Sequence, residues 1–200
     1  MRLLTLLTIL GLLASCQPAG RDSFEVGQIK TPQGEILLWL YENTPHHRES
    51  FIELANAGYW DSLTFNRVIP NFVAQGGCPD TPEGFNDPEY LLKPEFVPSL
   101  RHEYGALGAG RDANPEKLSA RCQFYIVQNK DGVHRLDGDY TVFGKVIKGM
   151  DVIDTIVNVE RDSTDQPLIP VTLDVNIVNM TKQQLTDIGF EVPTINSANQ

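Results

Sequence analysis

Short strand-like runs of Val, Ile and Phe, separated by glycine and proline, recur through most of the chain and restrict the folds open to it. These runs do not alternate regularly with long crossover helices, so a parallel α/β sheet is not expected. The pattern favours an antiparallel sheet, and closing such a sheet into a barrel removes its exposed edges. We therefore expect a mainly β fold, an antiparallel barrel with two helices that could plug its ends.

The two helices are predicted from a change in apolar spacing. Thr44 and Pro45 form a cap and first-turn pair ahead of one helix, and residues 149–157 return to helical period. His46 and His47 fall in the first turn of the earlier helix. Adjacent side chains on a helix point in different directions, so we expect both histidines to face solvent rather than to share a metal ion.

The amino terminus has the layout of a secretory signal, with Arg2 followed by an apolar stretch too short to cross a bilayer. The residues Leu13-Ala14-Ser15-Cys16 resemble a bacterial lipobox, which implies lipidation of Cys16. The alternative is a plain cleaved signal with an incidental cysteine. Gln17 follows the cysteine where an aspartate would suggest inner-membrane retention, so we expect an outer-membrane anchor facing the periplasm.

These features divide the chain into four segments. We predict a lipoprotein signal peptide over residues 1–15 and a lipidated tether over 16–23. One folded domain is expected over 24–180, because a chain of this length and composition can bury a single core. Residues 181–200 are predicted to be a polar C-terminal extension that is only partly ordered.

The formal net charge of −10 argues against a nucleic-acid partner. The chain also contains no block of Lys or Arg that could neutralise a run of phosphates. A solvated, soluble surface accounts for the acidity, so we infer no basic partner from it.

Three stretches of sequence carry the most specific pattern. They are Phe65–Gly77 (FNRVIPNFVAQGG), Cys122–Ile126 (CQFYI) and Leu136–Val146, which holds LDG and VFGKV. In sequence, order and spacing they resemble the active-site motifs of cyclophilin-type peptidyl-prolyl cis/trans isomerases. The resemblance covers roughly residues 26–180 and implies the cyclophilin-like closed antiparallel eight-stranded barrel with two capping helices.

The resemblance also implies an activity, acceleration of rotation about Xaa-Pro peptide bonds, and the residues that perform it. Arg67, Gln75 and Gln123 match the catalytic positions, with Arg67 as the hydrogen-bond donor. The positions expected to contact substrate are Phe72, Val73, Tyr125, Leu136, Tyr140, Gly110 and Arg111. The implied substrates are proline-containing unfolded or flexible polypeptides. We expect an exported monomer that assists the folding of exported or envelope proteins.

Several positions depart from the family's usual residues. Arg135 stands where many eukaryotic members have tryptophan, Tyr140 replaces a histidine, and Tyr125 replaces a phenylalanine. Gly110 and Arg111 stand where alanine and asparagine are usual. We expect weak cyclosporin binding, because the missing indole is the drug's hydrogen-bond donor in the family, while Arg67, Gln75 and Gln123 remain for turnover.

The remaining chemistry-bearing residues leave some alternatives open. Cys78 and Cys122 either form a disulfide or remain two buried thiols. His102 and His134 are isolated in the sequence, and no Cys/His spacing resembles a zinc site, so no metal or cofactor is expected. The competing function is a cyclophilin-like barrel that binds proline-containing segments as a holdase or adaptor with little turnover. The retention of Arg67 beside the two glutamines favours the enzyme.

Overall fold

The computed structural model describes residues 23–77 and 90–193; Cys16, Cys78 and the predicted signal and tether up to residue 22 lie outside them. In chain order the elements are β1 (Phe24–Thr31), β2 (Gly34–Leu40), α1 (Pro45–Asn56), β3 (Leu63–Ile69), β4 (Val73–Gly77), β5 (Leu91–Leu92), β6 (Ala106–Ala109), β7 (Ser119–Ala120), β8 (Gln123–Val127), β9 (Val142–Lys148), α2 (Met150–Val157), β10 (Val171–Met180) and α3 (Lys182–Asp187). A 3-10 helix at His134–Leu136 precedes β9.

Eight of the strands close into a barrel in the order β1-β10-β3-β4-β8-β6-β9-β2. Every pairing around the barrel is antiparallel. Strands β5 and β7 form a separate two-stranded sheet. The predicted closed antiparallel barrel of eight strands is confirmed.

Helices α1 and α2 lie at the two predicted segments, but the surroundings of α1 differ from expectation. Its His47 is buried, with 3% of its surface exposed, so the prediction that both histidines face solvent is wrong for His47. The carboxylate of Glu95 accepts hydrogen bonds from the backbone N–H groups of His46 and His47 and lies 2.6 Å from Nδ1 of the His47 ring. A carboxylate from a distant loop therefore caps this helix, where the Thr44 side chain forms no cap hydrogen bond.

A third helix, α3, extends the fold beyond the two helices predicted. Thr181 and Gln184 form a capping box, in which each side chain bonds the backbone N–H of the other residue. Leu185 and Phe190 are buried against the outside of the barrel, and the Phe190 ring packs 5.0 Å from that of Trp39. The segment expected to be a polar extension thus contributes a small apolar cluster. Within residues 23–77 and 90–193 no helix is long and apolar enough to cross a bilayer.

Strand β8 is buried on both faces. Phe124 and Ile126 point into the barrel interior. Tyr125 and Val127 point outward into a second apolar cluster. Side chains alternate between the two faces of a strand, so one short strand supplies both the core and the floor of an external cavity.

An irregularity in β3 turns Arg67 away from the core. The register between β3 and β4 shifts between Phe65, opposite Gly76, and Arg67, opposite Gln75, which makes Asn66 an extra residue in the strand. Phe65 and Val68 are both fully buried, while Arg67 is partly exposed. Without the bulge, regular alternation would place Phe65 and Arg67 on the same face.

Candidate active site

A row of polar side chains crosses three neighbouring strands on the outside of the barrel. Arg67 on β3 lies opposite Gln75 on β4, and its Nη1 donates to Gln75 Oε1 over 3.3 Å. The Gln75 amide nitrogen in turn lies 3.5 Å from Oε1 of Gln123 on β8. The three predicted catalytic positions therefore form one chain of contacts, which holds the guanidinium at a defined place.

The row borders a cavity of about 290 Å³. Its walls are Arg67, Phe72, Val73, Gln75, Arg111, Tyr125, Arg135, Leu136 and Tyr140. These include every predicted catalytic or substrate-contacting residue except Gln123 and Gly110. The structure thus brings together residues from β3, β4, β8, the 3-10 helix and the loops beside them, which are distant in sequence.

Gly110 and Gln123 contact each other instead of lining the cavity. The Gly110 N–H donates to the Gln123 backbone carbonyl over 3.0 Å. A Cβ at position 110 would lie 2.7 Å from Gln123 Cβ, closer than real Cβ contacts. A side chain at position 110 would therefore displace Gln123, which is buried with 4% of its surface exposed.

The cavity floor is apolar and rests on a buried polar network. Beneath Tyr125 the ring of His102, with no exposed surface, lies with Nε2 2.8 Å from the phenol oxygen and Nδ1 2.8 Å from the Asp137 carboxylate. Asp137 also accepts from the His102 backbone N–H and from Arg101, and it contacts the ring of His134. Since Asp137 follows Leu136, the network ties the cavity floor at Tyr125 to the segment that carries Leu136.

The pKa shifts agree with a neutral histidine beside an ionised carboxylate. Burial lowers the pKa of His102, and the hydrogen bond to Asp137 only partly opposes this. Burial would raise the pKa of Asp137, but the hydrogen bonds from His102, Arg101 and His134 outweigh it and hold that pKa well below its usual range. His102 then donates from Nδ1 to Asp137 and accepts at Nε2 from the hydroxyl of Tyr125, whose pKa burial raises.

Arginine side chains stack on the aromatic rings at the cavity rim. The guanidinium carbon of Arg135 lies 4.7 Å from the centroid of Phe72, and that of Arg67 lies 5.9 Å from it. The guanidinium carbon of Arg111 lies 4.3 Å from the centroid of Tyr140. Such cation–π contacts order long, flexible side chains.

The cysteine beside Gln123 is not a free thiol. Cys122 is buried and disulfide-bonded, while Cys78 lies outside the described residues. The Cys122 backbone carbonyl also accepts from the indole N–H of Trp60 over 2.8 Å. Among residues 23–77 and 90–193, no three His, Cys, Asp or Glu side chains are grouped so that they could hold a metal ion.

The barrel and this site define the class of protein. A family model described as cyclophilin type peptidyl-prolyl cis-trans isomerase/CLD matches residues 26–179. The chain therefore belongs to the cyclophilin family, and its enzyme class is peptidyl-prolyl cis/trans isomerase.

Two bacterial isomerases are similar to the chain in sequence. A peptidyl-prolyl cis-trans isomerase of Acinetobacter baylyi is 34% identical over 192 residues, covering 94% of each chain. Peptidyl-prolyl cis-trans isomerase B of Bacillus subtilis is 41% identical over 118 residues, which is 58% of this chain and 78% of that one.

Solved structures show the same fold. The crystal structure of a cyclophilin type isomerase from Cryptosporidium parvum, obtained in the presence of the dipeptide Ala-Pro, superposes with a TM-score of 0.66 at 24% identity. The match covers 78% of this chain and 99% of that one. A cyclophilin from Hirschia baltica gives a TM-score of 0.60 at 20% identity, over 76% of this chain and 73% of that one.

Sequence reasoning missed two residues of the site. His102 was expected to be isolated, yet it lies under Tyr125 and holds the tyrosine hydroxyl. Arg135 was noted as a departure from the family pattern but was not assigned to the site, and it lines the cavity. The replacement of phenylalanine by Tyr125 was the available signal for His102, because a buried phenol needs a hydrogen-bond partner.

Proposed function

We propose that this isomerase acts on proline-containing segments of exported or envelope proteins, with Arg67 as the catalytic donor. The observation that carries the proposal is the contact chain from Arg67 through Gln75 to Gln123 at the edge of an apolar-floored cavity. A cation held beside a cavity with an apolar floor matches what Xaa-Pro rotation needs.

Rotation about the peptide bond is opposed by amide resonance, with a barrier of about 18–20 kcal/mol. In the twisted transition state the prolyl nitrogen loses conjugation, and its lone pair becomes a hydrogen-bond acceptor. A donor aimed at that nitrogen binds the transition state better than either planar ground state. The guanidinium of Arg67 remains protonated throughout, which suits a reaction without proton transfer.

The apolar walls are proposed to hold the proline ring while the preceding carbonyl turns. Phe72, Val73, Tyr125 and Leu136 supply these walls, and Val73, Tyr125 and Leu136 are buried in the outer apolar cluster. Gln75, which accepts a hydrogen bond from Arg67, is proposed to form a second hydrogen bond with the substrate backbone. The C. parvum cyclophilin structure obtained in the presence of the dipeptide Ala-Pro supports a proline-containing substrate for this chain.

The activity is tested by following cis/trans exchange of a short Xaa-Pro peptide by NMR, using protein that begins at Gln17. We expect the unaltered protein to accelerate exchange. In Arg67→Ala the catalysed exchange rate should fall by about a hundredfold or more, the usual effect of deleting a transition-state donor. Arg48→Ala on α1 is the matched control, because it removes an arginine outside the cavity. Equal activity in the two variants would reject the role of Arg67.

The cellular setting is proposed from the N-terminal sequence. We infer that Cys16 carries lipid, that residues 16–23 are a tether, and that the folded monomer works at the outer membrane facing the periplasm. Two or more acyl chains hold a protein stably at a membrane. Metabolic labelling with a fatty acid, followed by membrane fractionation of the unaltered protein and of Cys16→Ser, tests this. A Cys16→Ser protein that remains in the outer-membrane fraction would contradict it.

A further inference from the structure

The cavity carries a charge opposite to that of the molecule around it. Its lining includes Arg67, Arg111 and Arg135 but no Asp or Glu, although the chain as a whole has a net charge of −10. Three like charges around one cavity repel each other, and the protein must offset that cost elsewhere or gain from it when substrate binds.

Arg135 has no anionic partner among the described residues. Its side chain is exposed at the rim and lies over the ring of Phe72. The same two side chains also line a neighbouring concavity. A cation–π contact leaves the N–H groups at the edge of the guanidinium available to an incoming oxygen.

Arg111 is held in place by neutral groups. Its Nε donates to the Asp139 backbone carbonyl and its Nη1 to the Asp112 backbone carbonyl, each over 3.0 Å. The Asp139 carboxylate itself is bound by Lys117. The positive charge of Arg111 is therefore oriented by the loop without being paired in an ion pair.

Another nearby carboxylate, Asp137, pairs with Arg101 and is hydrogen-bonded to residues that do not line the cavity. It accepts hydrogen bonds from Arg101 and from the backbone and ring of His102, and it contacts His134; none of these residues lines the cavity. It therefore leaves the positive field at the cavity rim in place.

We propose that the pocket prefers prolines flanked by an acidic side chain whose carboxylate pairs with Arg135, while Arg111 adds to the positive field of the same cavity. This substrate class rests on the proposed role of the Arg67 pocket in binding proline. A carboxylate has two acceptor oxygens that fit the guanidinium fork, whereas the isosteric amide of Gln carries no charge and Lys would be repelled.

The acidity of the whole molecule does not cancel this preference. At physiological ionic strength, charges more than about 8 Å away in solvent are largely screened. The arginines at the rim act at contact distance, while the acidic surface acts mainly through longer distances. The preference is therefore expected in kcat/KM at moderate salt and should disappear at about 1 M salt, where the screening length is about 3 Å.

The test compares two peptide series in which the residue before or after the proline is Glu, Gln or Lys. NMR exchange gives kcat/KM, and titration of isotope-labelled protein gives Kd independently of turnover. We expect Glu peptides to exceed Gln peptides by about fivefold in one series, with Lys peptides lowest, which is the effect of one partly exposed ion pair. Arg135→Gln should bring the Glu-to-Gln ratio close to one. Lys30→Gln, an equal charge change at an exposed position of β1, should leave that ratio unchanged.

The outcomes separate the two proposals. Turnover of Gln-Pro peptides with no Glu preference in either kcat/KM or Kd would overturn the charge preference and leave the isomerase proposal standing. Absence of turnover for every peptide would overturn the isomerase proposal, and the ratio of the Kd values would still decide the charge preference. A Glu preference that Arg135→Gln and Lys30→Gln reduce equally would assign it to net charge and reject the role of Arg135.

Discussion

The phenol oxygen of Tyr125 lies 2.8 Å from Nε2 of His102, in the buried layer beneath the substrate cavity. The other ring nitrogen of His102 lies 2.8 Å from Asp137. One histidine thus joins the strand that forms the cavity floor to the segment that carries Leu136 and Arg135.

Tyr125→Phe should lower the free energy of unfolding by about 1–3 kcal/mol, because it leaves the buried His102 Nε2 without a donor. Tyr140→Phe at the half-exposed rim should change it by less than about 0.5 kcal/mol. Urea denaturation of the two variants measures both values. Similar losses in the two would mean that the Tyr125–His102 contact contributes nothing specific.

Gly108→Ala should destabilise the protein by about 1–3 kcal/mol through overpacking. A Cβ at position 108 would fall 2.3 Å from Cζ of Tyr125, and His102 restrains that ring. Adding Tyr125→Ala to Gly108→Ala removes the clash, so the pair should cost less than the sum of the single changes. A double-mutant cycle by urea denaturation checks this, and strict additivity would contradict the predicted clash.

Gln75→Leu should lower kcat by up to about a hundredfold with a smaller change in KM, because Arg67 loses the acceptor that positions it. Leucine keeps a similar volume, so the strand should persist. The matched change Gln28→Leu on β1, where Gln28 bonds Glu35, should leave kcat unchanged. Peptide exchange by NMR measures both, and a change confined to KM would show that Gln75 only binds substrate.

Stability should decrease as the pH falls below about 6.5. Burial lowers the pKa values of His102 and His47 despite their carboxylate partners, so the folded protein keeps both rings neutral where the unfolded chain takes up protons. Their contribution is fully present above about 6.5 and is lost as the pH falls, by up to about 1.4 kcal/mol per pH unit for each ring. Urea denaturation at several pH values measures the slope. His102→Gln should reduce it, and an unchanged slope would exclude His102 as a source.

Leu185→Ala in α3 should cost about 2–4 kcal/mol of unfolding free energy, because Leu185 has no exposed surface. The same substitution at Leu168, which is 60% exposed, should cost less than about 0.5 kcal/mol. Urea denaturation distinguishes the two sites. A negligible loss at Leu185 would show that α3 does not contribute to the stability of the barrel.

The barrel and the cavity walls were predictable because their signals are local or contiguous in sequence. Strand alternation identified most of the sheet, and the run from Phe65 to Gly77 holds the donor and part of the floor together. The helix start at Pro45 was equally predictable, because the fixed φ of proline suits the first turn of a helix.

The contacts that sequence did not reveal are those made across long separations. Glu95 reaches α1 from 48 residues away to cap His47, and His102 meets Asp137 from 35 residues away. The spacing of apolar residues cannot predict such pairs, because each partner taken alone is an ordinary polar residue. Helix α3 was missed for another reason, since its apolar contacts, Leu185 and Phe190, are sparse in a polar segment.

Strand β1 lies across the barrel from β8, four places away in the ring of eight. Phe24, at its start, is paired with Met180 at the end of β10. The start of β1 and the end of β10 therefore lie side by side, with β1 opposite the strand that forms the cavity floor. A partner or surface that contacts the start of β1 would therefore meet the barrel on the side opposite β8, and the cavity floor would stay free of that contact.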